Sequence, residues 1–227
     1  MTLPTVAQAA RNNALWCDAV CRAHGAPGEF HAGHWINRHG TPRYYPDAVT
    51  LDAAADAAPI LALCQARGAI SVKDSFHRLD LTAAGFAPLF DAEWIAAPPP
   101  AAGDRGWSRI GDAAGLTAWE RAWAGQDVGK RIFLPALLGD PAIAFITVEG
   151  DDGLAGGGIL NRGGGVVGLS NSFAARSPAE TVRRRLISAA AALFPGLPLV
   201  GYARGEMLAA AQSAGFTAIG MLRVWQA

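Results

Sequence analysis

Net charge is the first thing this sequence lacks, since nineteen Lys and Arg offset nineteen Asp and Glu across 227 residues. With no surplus of either sign there is no long-range field to gather nucleic acid or an acidic membrane surface, and a nucleic-acid partner is not expected. Cysteine is scarce too: three in the whole chain cannot build a disulfide framework. The opening MTLPTVAQAARNNALW has no basic-then-apolar signal design, so a reducing, cytoplasmic setting is expected. Long apolar runs are also missing. The stretch Ala189 to Phe194 is far below the ~20 residues that span a bilayer, and charges interrupt every longer window, so a soluble protein with no membrane partner is expected. What is abundant is apolar side chain, 51% hydrophobic against 17% charged. That composition excludes disorder and supplies a core for one large domain or two small ones.

The chain breaks most clearly at AAPPPAAGDRG, Ala96 to Gly106, where three successive prolines and two glycines exclude both helix and central strand. Residues 97–106 read as a linker between an N-terminal α/β lobe, 1–96, and a second lobe, 107–227. In the first lobe, Val6, Ala10, Asn13, Cys17, Val20, Cys21 and His24 recur at helical spacing, which predicts a helix over 5–24 ended by Gly25; Asn13 is the flaw in its apolar stripe. Residues 27–46 read as irregular with short extended pieces. A helix over 57–67, a strand over 69–73, a short helix over 79–84 and a strand over 86–95 follow.

The second lobe opens with a strand over 107–110, a helix over 113–124 and a short helix over 132–138. Strands over 143–149, 154–161 and 166–173 come next, joined by the turn sequences Asp151-Asp152-Gly153 and Arg162-Gly163-Gly164-Gly165, which makes an antiparallel meander. A long helix over 178–194, a strand over 198–202, a helix over 206–214 and a strand over 217–225 complete the chain. Setting Gly85-Phe86 on Gly215-Phe216 superimposes helix, strand, helix and strand, with AAGF against SAGF, an internal echo consistent with a half-domain repeat.

This order of elements resembles the GNAT N-acetyltransferase superfamily. The closing GYARGEMLAAAQSAGFTAIGMLRVW is similar to that family's last helix and strand, and RIGDAAGLTAWERAW to its first strand and helix. The resemblance covers residues 104–227 and reaches the first lobe through the echo. It implies an α/β fold, a GNAT-like mixed sheet with flanking helices, preceded by a partial GNAT-like lobe. It also implies acetyl-CoA as co-substrate and transfer, by direct attack, to a small-molecule or peptide amine. In such a fold two parallel strands, here 166–173 and 198–202, diverge to admit the pantetheine arm, while free amides at the start of the next helix hold the diphosphate.

On that resemblance Ser172, Phe173, Arg176, Ser177, Ala179, Glu180 and Thr181 are the expected carrier-binding residues. Tyr202 is the expected proton donor and Glu206 the expected base, because Ala211 stands where many relatives carry a tyrosine. The family's Q/R-x-x-G-x-G/A turn is not intact: starting at Arg176, alanine and threonine replace its glycines, and the later register puts Thr181 and Arg183 there. Read physically, Ser177-Pro178-Ala179-Glu180 is also a capping box with proline at the first helical position, which would consume amides meant for an anion. Arg176, Arg183, Arg184 and Arg185 supply compensating charge. Two functions therefore stay open, an acyl-CoA-dependent N-acyltransferase and a GNAT-like binding module without turnover.

Other constellations carry less. Cys17, Cys21 and His24 share a helical face, with His31 and His34 beyond, but the spacing is not that of a zinc site and a core stripe explains it, so no metal is expected. Nothing marks an activated cysteine nucleophile. Gly156-Gly157-Gly158 and Gly163-Gly164-Gly165 flank a strand and lack a following Lys-Ser/Thr, so they are not a phosphate loop; they suggest turns and a bare sheet face approached by a ligand or the other lobe. Ser170, Asn171 and Ser172 could order a substrate or water. Trp107, Trp119, Trp123, Trp225 and Phe216 read as core.

Overall fold

The structure, a computed structural model, describes residues 2–101, 103, 105–126, 129–150 and 153–227; Asp151 and Asp152 of the expected turn lie outside them. The first lobe contains α1 (Val6–Ala23), β1 (Glu29–Phe30), β2 (His34–Ile36), β3 (Ala48–Thr50), α2 (Ala58–Arg67), β4 (Ser71–Asp74) and β5 (Ala87–Ala97). The second contains β6 (Trp107–Arg109), α3 (Ala113–Ala124), β7 (Ile143–Gly150), β8 (Gly153–Gly163), β9 (Val166–Ala174), α4 (Ala179–Leu193), β10 (Leu199–Ala203), α5 (Glu206–Ser213) and β11 (Thr217–Gln226). The short helices expected over 79–84 and 132–138 are 3-10 turns, Thr82–Ala84 and Pro135–Gly139. Neither has the length to hold an α-helix, and prolines or glycines bound both.

All strands join one eleven-stranded sheet in the order β1-β2-β3-β4-β11-β5-β10-β9-β8-β7-β6. The lobes interlock at its centre: β11 pairs antiparallel with β4 and β5, and β5 in turn pairs antiparallel with β10. The echo has a local counterpart here. At both helix-to-strand turns a glycine of positive φ, Gly85 at 85° and Gly215 at 89°, lets the following phenylalanine amide reach back five residues, Phe86 to Leu81 O at 3.2 Å and Phe216 to Ala211 O at 3.1 Å. Each lobe also has one parallel pair, β3 with β4 and β9 with β10.

Helices cover both faces. On one, α1 and α3 bury Trp16, Cys17, Val20 and Trp119 against Phe133 and Phe145. On the other, α4 sets Val182, Leu186 and Ala190 on Ile146, Leu160 and Val167, and α2 sets Ile60 and Leu63 on Val72 and Trp225. The bare face of β8 is bare because helices press on it from both sides. A Cβ on Gly157 would stand 2.5 Å from Trp119 Nε1, and one on Gly158 would stand 2.7 Å from Leu186 Cδ1. Among the described residues no helix is long and apolar enough to cross a membrane.

Candidate functional site

β9 and β10 run side by side for only two rungs, Val167 with Leu199 and Gly168 with Val200. Past them β10 stays with β5, Tyr202 lying opposite Trp94, and β9 stays with β8. The parting has a cause on β9: the ladder steps from Ile159–Ser170 to Gly157–Phe173, so β9 carries one extra residue, with Asn171 at φ 50. Such a bulge bends and twists the strand away from its neighbour. It also turns Phe173 onto the Trp119 ring, 5.2 Å between centroids.

A cavity of about 410 Å³ fills the fork. α1 roofs it, held against β8 by a buried amide pair: Asn161 Nδ2 donates to Asn12 Oδ1 at 3.0 Å, and Asn12 Nδ2 donates to Asn161 O at 2.9 Å. Gly168 lies directly beneath, where any Cβ would strike both amides. Three cations line the cavity, Lys73, Arg183 and Arg204, and no carboxylate does so among the described residues. Lys73, only 5% exposed, donates to Asn13 Oδ1 at 2.8 Å and lies 4.4 Å from the centre of the Tyr202 ring. Tyr202 in turn meets Trp94 edge-on at 5.6 Å. Arg183 reaches the cavity from α4 and has no hydrogen bond or ion pair to a described residue; burial holds its pKa below the ordinary guanidinium value.

Two hydroxyls in the wall, Tyr45 Oη and Ser170 Oγ, are buried without partners among the described residues. Burial pushes the Tyr45 phenol well above its usual range, so it stays protonated and can donate a hydrogen bond. The two thiols of α1 are held away from thiolate: burial raises Cys17 to about 11 and Cys21 to about 12. Among the described residues no three His, Cys, Asp or Glu side chains are gathered to hold a metal, and His24 instead contacts the Ile132 carbonyl at 2.8 Å.

Of the residues named from the sequence, Tyr202 and Ser172 line the cavity together with Ser170 and Asn171. Glu206 does not: it is the exposed first residue of α5, and its neighbours Arg204 and Met207 face the cavity in its place. Phe173 belongs to the aromatic core. Arg176 lines a shallow groove beside Ala118 and Leu154, and Ser177, Ala179, Glu180 and Thr181 form the approach to and first turn of α4. The expected capping box is not formed. Pro178, not Ser177, occupies the cap, at φ −55° and ψ 138°, and among the described residues no side chain caps the first turn. Proline is one residue earlier than the box requires, which carries the serine past reach of the helix amides. Those amides thus have no side-chain partner among the described residues.

The first lobe's parallel pair has no such opening. Thr50 Oγ1 accepts the Ser75 amide at 2.8 Å across β3 and β4, and Asp56 takes the Ala58 amide at the start of α2 at 3.0 Å.

The fold that carries this fork and cavity is similar to that of solved GNAT N-acetyltransferases. A GCN5-related N-acetyltransferase from Kribbella flavida superposes with a TM-score of 0.64 at 10% identity, over 96% of this chain and 95% of that one. A GNAT-family protein from Novosphingobium aromaticivorans gives 0.57 at 16% identity, over 93% and 96%. The tandem GNAT protein of the clavulanic acid biosynthesis pathway gives 0.51 at 12%, over 95% and 94%. No protein-family model matches the sequence, and no curated protein does.

Sequence reasoning missed Lys73, Tyr45, Trp94 and the role of Asn13. Asn13 left a trace as the polar break in the α1 stripe. Lys73 left another as the one cation of a short strand between apolar segments. Tyr45 left none.

Proposed function

We propose that this chain is an acyl-CoA-dependent N-acyltransferase, with acetyl-CoA its carrier, acting on an amine held in the fork between β9 and β10. The carrying observation is the parallel pair that parts after two rungs onto a cavity. Backbone groups of β9 beyond Gly168 have no partner on β10 and can hydrogen-bond an extended arm as a further strand would. The first-turn amides of α4, with Arg176 beside them and Ser177, Ala179, Glu180 and Thr181 as their frame, suit a diphosphate. Arg183 adds a buried cation that an anionic carrier would neutralise.

When bound, the thioester supplies a carbonyl carbon to which the amine nitrogen bonds as the carbon–sulfur bond breaks, sulfur departing with one of the amine's protons. Tyr202 is the residue that moves this proton. Its hydroxyl can give a proton to sulfur and recover one from nitrogen, and so ends the cycle unchanged. No carboxylate lines the cavity among the described residues, so Glu206 has no part in this scheme and the amine enters unprotonated. The binding-module reading loses the Ser177 cap but keeps the missing turn glycines and the Glu180 charge in the first turn of α4.

Thermal denaturation tests the proposal. Acetyl-CoA at a hundredfold excess over its dissociation constant adds ~2.7 kcal/mol and raises the melting temperature by several degrees, and Arg176→Ala shrinks the rise. No rise at millimolar acetyl-CoA would sink it.

A further inference from the structure

The fork cavity presents positive charge to whatever enters, and its deepest cation is not balanced from within. The Lys73 ammonium has three N–H donors. One goes to Asn13 Oδ1 and the ammonium also faces the Tyr202 ring, both uncharged, and no acidic group pairs with it among the described residues. A cation kept this far from water is costly unless an anion comes to it. Tyr45, 8% exposed, lines the same cavity, its hydroxyl buried without a hydrogen-bond partner among the described residues. Lys73, Tyr45 and Tyr202 all line the one cavity, so the two donors face the same space next to the fork.

We infer that the acceptor is a small amine that itself carries a carboxylate, its two oxygens taken by the Lys73 ammonium and the Tyr45 hydroxyl, so that its amine faces Tyr202. The inference rests on the acyltransfer reading above and names its substrate class. One ammonium and one hydroxyl match the charge and the two oxygens of a carboxylate. Trp16 and Trp94 give the rest of the wall an apolar surface for the acceptor's carbon skeleton. Lys73 is then a specificity-determining residue, supplied by the first lobe to a reaction carried out in the second.

The test separates this inference from the reading beneath it. Ligand-observed NMR on the protein without acetyl-CoA, using the twenty common amino acids each beside its carboxamide, should show binding of one or more free acids and at least tenfold weaker binding of the matching amide. Lys73→Gln should abolish that preference. Tyr45→Phe, which preserves shape, should weaken the acid several-fold and the amide hardly at all, and it serves if the lysine variant does not fold. Absence of any bound acid, or equal binding of acid and amide, overturns the inference even if acetyl-CoA binds. A bound acid that depends on Lys73, in a protein with no acetyl-CoA response, would uphold the carboxylate site and overturn the acyltransfer reading.

Discussion

Tyr202 stands one residue past Gly201, on the arm of β10 that has left β9, and its ring is gripped by Lys73 at 4.4 Å and Trp94 at 5.6 Å. A ring held on two sides keeps its hydroxyl at a fixed place, which is what proton transfer to a departing group requires. Tyr202→Phe should therefore lower kcat ~100-fold while leaving the acetyl-CoA melting shift unchanged. Steady-state kinetics beside the thermal assay would decide, and a full-rate variant would remove Tyr202 from the mechanism. Tyr202 was legible in the sequence because the order of elements puts a strand end there. Lys73 and Tyr45 were not, because each reaches the cavity from another lobe across intervening strands, a proximity that no spacing along the chain encodes.

At the scale of elements, helix starts separate local from tertiary control. Thr5 caps α1 in a reciprocal box, its hydroxyl accepting the Gln8 amide at 3.3 Å and Gln8 Oε1 accepting the Thr5 amide at 3.0 Å. Ser177 makes no such bond at α4. Thr5→Ala should cost about 1 kcal/mol, whereas Ser177→Ala should stay within about 0.5 kcal/mol; urea denaturation of the two variants measures both, and equal losses would contradict the geometry. Most helices and the second-lobe meander were readable from periodicity and turn residues. Of the three short strands of the first lobe, β1 and β2 were legible only as unplaced extended pieces within 27–46 and β3 not at all, since pieces of two or three residues carry too little pattern to register and exist because neighbours pair with them.

For the whole molecule, the proline-rich segment over 97–106 reads as a seam, yet the sheet runs through it. β5 lies between β10 and β11, and α1 of the first lobe roofs the cavity of the second. A fragment of residues 107–227 would lose β5 from one side of β10 and both β4 and β5 from β11, leaving apolar strand edges open. It should be insoluble or melt without cooperativity on its own and recover when co-expressed with residues 1–106. A cooperative melt of the fragment alone, followed by circular dichroism, would show that the lobes do not depend on each other.

By itself the sequence determined the order of helices and strands, the apolar faces and the glycine breaks, because these arise from side-chain periodicity and backbone freedom within a few residues. Tertiary structure alone decided that the strands part at the Asn171 bulge, that Ser177 fails to cap α4, and that a lysine and a tyrosine from one lobe line a cavity with a tyrosine from the other. Those outcomes depend on how strands register against one another and on which side chains burial brings together, and a linear chain holds neither until it has closed on itself.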